Sequence, residues 1–305
     1  VSWTADTLLA SVKVKAGWPS SGGYLTNTEI LSLADDETLT TIAPILRATR
    51  EEYLVSEEDQ TLVSGTALYS IPARALGSSL RDVLLVTGSQ TYSLPEIPPE
   101  ELWRYETSAG PGWRAPYGFC LQAGKLRLLP GPVSSGDTLR LRYHRRPSRL
   151  VTVAEAGVVS STGATTITLS ATAPTGWGAS ATLDVISHLP PYDAVSDDLS
   201  ATIVGTGVTV AAGVSSSVGA GHYVSLKETT PIPQMPVELH PLLVLCTARS
   251  CASAAGDMRV AGALQAQAMQ AEDRVRGLLK PRVLGERPVV INRYSALRGG
   301  RRWGR

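Results

Sequence analysis

Hydrophobic positions along this chain follow two periods, and each change of period marks a new part. Near the amino end Trp3, Leu8, Leu9 and Val12 fall roughly on one side of a short helix over Val1 to Ala16, which Gly17 and Pro19 end. After a Ser-Ser-Gly-Gly loop, Thr26-Asn27-Thr28-Glu29 has the form of a capping box, in which a hydroxyl accepts from a free N–H and the glutamate reaches back. A helix starts there. Ile30, Leu33 and Ala34 give it one apolar face, and Leu39, Ile42, Leu46, Thr49 and Tyr53 continue at steps of three and four. Pro44 lies inside that run with no N–H to donate, which predicts a kink or two consecutive helices.

From Thr61 the period falls toward two. Thr61 to Ile71, Asp82 to Thr87 and Thr91 to Leu94 read as short strands, with Gly88-Ser89 as the turn between the last two. Pro95 to Gly118 is a loop rich in Pro and Gly, anchored by Trp103, Tyr105, Trp113 and Tyr117. Phe119 to Leu150 then holds two alternating runs around a Pro/Gly/Ser-rich turn. Leu126, Leu128, Leu139, Leu141 and Tyr143 share one face, and Lys125, Arg127, Arg140, Arg142 and His144 share the other. The pattern predicts a β-hairpin with an apolar and a basic side, and a lone hairpin is marginal in water. The helices before and after it are its predicted cover.

At Val151 the composition changes. No Lys or Arg occurs from there to Leu226, and Val, Ala, Thr, Ser and Gly dominate. Ala164 to Leu169, Ala181 to Ile186 and Thr206 to Val210 read as strands of a small all-β insertion. Its acids, Glu155, Asp184, Asp193, Asp197 and Asp198, have no basic residue beside them in the sequence, which suits either a basic partner or an ordinary solvated surface. Helical spacing returns after Pro233, with Pro241 in a first turn. It runs through Leu242, Leu245, Cys246 and Arg249 to Leu264, Ala268, Val275, Leu278 and Leu279, split at Gly256-Asp257, where Asp257 caps a second half. Leu284 to Arg305 has no sustained period and reads as an arm that orders on a partner.

Composition adds direction to this plan. With 305 residues and 43% hydrophobic content the chain can bury a real core, in one large domain or two smaller ones. The net charge of +1 conceals a polarity. Residues 1 to 60 carry ten acids against Lys13, Lys15, Arg47 and Arg50, whereas Arg274 to Arg305 carries nine arginines and Lys280 against Glu286. Such polarity suits head-to-tail contact between copies or docking on a charged partner. Cys120, Cys246 and Cys251 are odd in number and lack disulfide-like spacing, and the amino end lacks a basic segment followed by an apolar stretch, which predicts folding in a reducing cytoplasm. No apolar run approaches the ~20 residues of a membrane span, so no membrane partner is expected.

Catalytic signatures are missing. The chain has no phosphate-binding Gly-rich loop, no G-x-S-x-G and no H-E-x-x-H. His144, His188, His222 and His240 are scattered, and Cys246 and Cys251 are spaced as buried small residues rather than as zinc ligands. Asp193, Asp197 and Asp198 lack the alternation of a calcium loop. No catalytic residue, cofactor or metal is therefore assigned, and the chain does not read as an enzyme. The basic groups remain. The strand face, with Lys125, Arg127, Arg140, Arg142, Arg145, Arg146 and Arg149, suits either a phosphate backbone or ion pairs with the acidic stretch near Glu51 and Glu52. In the arm, Arg293, Tyr294, Arg298, Arg301, Arg302, Trp303 and Arg305 combine fork-shaped donors with aromatic anchors, as interface hot spots do.

The order of the pieces carries a resemblance. Tyr24 to Ala34 (YLTNTEILSLA), a helix ending Arg50-Glu51-Glu52-Tyr53, Leu68 to Gly77 (LYSIPARALG), Leu80-Arg81-Asp82-Val83, Leu126 to Pro130 and Leu139 to Pro147 together resemble the head-to-tail adaptor, or connector, proteins of tailed bacteriophages. The resemblance covers residues 24 to 150 and, more weakly, the helices after Pro236. It implies a structural virion protein of the neck, made in the host cytoplasm. Such a protein forms a ring of about twelve copies under the portal, each contacting the next heterologously. The ring extends the channel through which the genome DNA passes and attaches a tail or nozzle protein. On this reading the fold is α+β: a helical bundle core with an antiparallel β-hairpin or sheet in residues 1–150, an all-β insertion domain in 151–226, helices completing the core in 227–281 and an extended basic arm in 282–305. The arm residues named above would bind the portal, and the basic strand face would meet DNA or a neighbouring subunit. A nucleic-acid-binding protein and a tail or surface-binding module acting through the β insertion are the two alternatives.

Overall fold

A computed structural model describes residues 3–19, 23–102, 116–131 and 135–279. The first helix, α1 (Ala5–Lys15), buries Leu8, Leu9 and Val12 and ends where Gly17 adopts φ +71°. Thr26 caps α2 (Asn27–Glu37) as the sequence predicts: its hydroxyl accepts from the Glu29 N–H at 3.3 Å while Glu29 accepts from the Thr26 N–H at 2.7 Å. The chain then passes through a π-helical turn, Thr38–Ile42, into α3 (Ala43–Thr49), with Pro44 in its first turn. Two consecutive helices thus resolve the Pro44 question. The predicted continuation to Tyr53 does not occur, because Arg50 leaves the helical region at φ −147° and turns its side chain to the Leu279 carbonyl, 3.0 Å away.

Two sheets follow. The first has the order β1 (Val55–Thr61), β7 (Thr138–Arg145), β3 (Ala75–Thr87), β4 (Gln90–Ser93), and the second β2 (Leu68–Ser70), β6 (Lys125–Leu129), β5 (Gly118–Gln122). The predicted hairpin of β6 and β7 is therefore corrected: its two strands belong to different sheets. Leu129 ends a strand of one sheet, and Thr138 begins a strand of the other. The face assignment holds nonetheless. Leu126, Leu128, Leu139 and Leu141 are all fully buried, packed with Tyr69, Val83, Leu85 and Phe119 between the sheets. Strand leucines cover one another here, and the helices are not the cover.

Residues after Leu150 form a closed six-stranded antiparallel barrel in the order β10 (Thr166–Leu169), β13 (Gly207–Val210), β12 (Ala194–Val204), β11 (Ser180–Ile186), β14 (Tyr223–Leu226), β9 (Gly157–Thr162). Closure removes sheet edges. Val159, Ile167, Leu183, Val185, Val208 and Val224 fill the interior. The chain enters and leaves the barrel side by side, through a two-residue parallel pairing of β8 (Arg149–Leu150) with β15 (Thr229–Thr230).

Two further helices, α4 (His240–Ala254) and α5 (Met258–Leu279), complete the described residues, with Pro241 in the first turn of α4. Gly256 at φ +82° breaks the run, and Asp257 Oδ1 accepts from the Val260 N–H at 3.1 Å. Helices α1 to α5 share an apolar cluster that includes Leu8, Ile30, Leu46, Leu243 and Leu264. Burial is divided between this cluster, the leucines between the sheets and the barrel interior, so the fold is a mixed α/β assembly and is not built on a single helical core.

Candidate interaction surfaces

The basic strand residues do not make one face. Lys125 and Arg127 point away from the buried leucines of β6, and Arg140 and Arg142 do so on β7, so the two pairs lie on the outer faces of opposed sheets. Arg140 lies directly opposite Asp59 of β1 and bonds it twice, at 2.8 and 2.9 Å. Arg142 lies opposite Glu57 and bonds it at 2.6 Å. Positions facing each other across an antiparallel pair bring side chains close enough for such pairing. The hydrogen bond from Arg140 holds the Asp59 carboxyl below its usual range. Ion pairing does occur, with acids of β1; of the predicted acidic stretch, Glu51 pairs with Arg81 at 2.9 Å. His144, assigned to the same basic face, is buried.

The acids of the barrel are not unopposed. Arg74, buried at the joint between barrel and sheets, donates both terminal nitrogens to Asp184, at 2.9 and 2.8 Å, and also reaches Asp198 at 2.9 Å and Asp197 at 3.3 Å. Arg145 adds a bond to Asp197 at 2.7 Å, Lys227 pairs with Asp198 at 3.0 Å, and Arg146 meets Glu228 at 3.4 Å. Burial on its own would lower the Arg74 guanidinium, but its bonds to Asp184 and Asp198 outweigh that and raise it. The basic partner predicted for this surface is thus the chain's own body. Arg74 escaped the sequence reading because an isolated arginine after Pro72-Ala73 shows no pattern. Asp184, inside a strand of small apolar residues, was the available signal.

Beside this joint a cleft of about 380 Å³ lies between α2 and the segment from Arg146 to Arg149. Asp35 lines it, accepts from the Leu150 N–H at 2.9 Å and is pushed by burial to a pKa of about 7. Cys246 and Cys251 are buried within the helical cluster, and burial pushes their thiols up to about 11 and about 12. Among the described residues no group of three or more His, Cys, Asp or Glu is placed to hold a metal ion, and no helix is long and apolar enough to cross a membrane.

Helix α5 presents a different surface. It buries Ala261, Leu264, Ala268, Val275 and Leu279 on a narrow stripe. The twelve residues from Val260 to Ala271 carry no charge although most are exposed, and Met258 and Met269 stand 70% and 59% exposed. Helix α4 packs against α1 and α2 and also against α5. The arm residues Arg293, Tyr294, Arg298, Arg301, Arg302, Trp303 and Arg305 lie outside the described residues, as do Trp103, Tyr105 and Trp113.

The described surface thus combines paired arginines at the joint between barrel and sheets with an uncharged, largely exposed stretch of α5. A family model, that of the SU10 adaptor protein, matches residues 4–169. The chain belongs to the SU10 adaptor protein family, and with it to the structural adaptors of bacteriophage virions. No curated protein matches it.

Proposed function

We propose that this protein is the head-to-tail adaptor of a tailed-phage neck: a homo-oligomeric ring of about twelve copies under the portal, which extends the DNA channel and attaches a tail or nozzle protein. Family membership over residues 4–169 carries this reading. The charge polarity of the chain and the uncharged exposed face of α5 support contact between copies, since a helix facing only water ordinarily carries charged residues. In this reading the helices of residues 1–150 and 227–281 form the ring body, the barrel within 151–226 faces outward or toward the tail, and the basic arm of 282–305 docks on the portal. The basic strand residues Lys125, Arg127, Arg140, Arg142, Arg145 and Arg146 are the candidates for the channel wall or a neighbouring subunit. Arg140, Arg142, Arg145 and Arg146 already have carboxylate partners within the chain, which lowers their value as phosphate ligands.

Electron microscopy of the purified protein mixed with its portal tests this. A ring seated under the portal is the expected result, and deletion of Leu284 to Arg305 is expected to abolish attachment while leaving the circular dichroism spectrum intact. A protein that ignores the portal but binds duplex DNA with steep salt dependence would replace this reading.

A further inference from the structure

We infer that the barrel is a hinged body, latched onto the rest of the chain by Arg74 and able to swing out as an intact unit when that latch is removed. The inference does not depend on the assembly proposed above.

The large apolar clusters do not cross the joint. The barrel's interior cluster contains only residues between Val159 and Val224, and the clusters of the helices and of the two sheets contain none of them. What spans the joint is mostly charge: Arg74 and Arg145 from the sheet side, against Asp184, Asp197 and Asp198 from β11 and β12. Beyond these bonds, the ring of Tyr192 reaches within 6.1 Å of the His240 ring.

Asp184 is the keystone on the barrel side. Fully buried, it accepts four bonds: two from Arg74, one from the Asp198 N–H at 3.0 Å and one from the Glu228 N–H at 2.7 Å. Asp198 and Glu228 both sit at left-handed φ, +53° and +59°, which L-residues other than Asn and Asp seldom adopt. The Arg74–Asp184 pair therefore both spans the joint and holds two left-handed backbone positions, of which Glu228, in the tether that leaves the barrel, is the unfavourable one.

The tethers make a hinge possible. Entry and exit run side by side as β8 and β15, so rotation needs dihedral changes only near residues 151–156 and 226–228. Closure of the barrel satisfies its own backbone, and its interior is filled by its own side chains, so undocking exposes no sheet edge and leaves the barrel interior covered.

The test uses the whole chain and two variants, Arg74→Ala and the double variant Arg74→Ala/Asp184→Asn, which avoids leaving a buried carboxylate without a partner. Hydrogen exchange read by mass spectrometry should leave β11 to β13 protected. Exchange across 151–156 and 226–230 should speed up at least about tenfold, and small-angle scattering should show a longer maximum dimension. If Arg74→Ala alone unfolds the barrel, the double variant decides. Wild-type exchange at the tethers with an unchanged dimension, or loss of barrel protection in the double variant, overturns the hinge.

Discussion

Trp3 stacks on His240 with ring centroids 4.1 Å apart and 16° between the planes. The stack seals the amino end of α4, where His240 is 3% exposed. Burial lowers the His240 pKa from 6.5 to about 4.

Acid sensitivity follows from that shift. Between pH 6.5 and about 4 the unfolded imidazole takes up a proton that the folded one refuses, so stability present above pH 6.5 is lost as pH falls toward 4. The loss is on the order of 2–3 kcal/mol. Urea titrations of His240→Phe, which keeps an aromatic ring against Trp3, should show a smaller difference between pH 7 and pH 4.5 than the wild type. An equal difference would assign the acid sensitivity elsewhere.

Asp35 acts in the opposite direction. Its carboxyl is raised from 3.8 to about 7 by burial, so the folded state holds a proton that the unfolded state gives up, and stability declines as pH rises from about 4 through 7. Asp35→Asn keeps an acceptor for the Leu150 N–H and cannot ionise. At pH 8 it is expected to be more stable than the wild type by on the order of 1–2 kcal/mol, with no gain at pH 4. Thermal melts at the two pH values check both halves.

The cap of α2 offers a simpler test. Thr26→Ala removes the acceptor of the Glu29 N–H and the hydroxyl bonded to Glu29 at 2.8 Å, and is expected to cost ~1 kcal/mol. Thr26→Asp should recover most of that loss in denaturant titrations.

Separate cores predict separable damage. Leu141→Ala empties a fully buried site between the two sheets and should cost about 2–5 kcal/mol. Val185→Ala cuts into the barrel interior. Hydrogen exchange should show the first loosening β3, β6 and β7 with the barrel still protected, and the second doing the reverse. Loss of protection everywhere in both variants would mean one cooperative unit.

Local rules were enough wherever a residue's role depends on its near neighbours in the chain. The capping box at Thr26, the break at Gly256-Asp257, the turn at Gly88-Ser89 and the burial of Leu126, Leu128, Leu139 and Leu141 are all matters of period, cap chemistry or φ, and all were legible. The membership of a phage adaptor family was legible for the same reason, because it rests on the order of such local pieces. Strand β1 was missed because Ser56 to Gln60 is almost wholly polar. It is an edge strand whose outward acids answer Arg140 and Arg142 across the ladder, a relation between residues some eighty positions apart.

Pairing partners were likewise beyond the sequence. Alternation fixes which side of a strand is apolar, yet it does not say which sheet the strand joins, and so β6 and β7 read as one hairpin while lying in opposed sheets. The acids of the insertion showed no partner because Arg74 stands 110 residues before Asp184, and only the closed barrel seated on the sheets brings them within 2.8 Å. The chain by itself determined most of its elements, the apolar faces of its strands and its family, since these depend on short-range sterics and the period of burial. Tertiary structure decided which charges meet, because ion pairing depends on distance in space and is indifferent to distance along the chain.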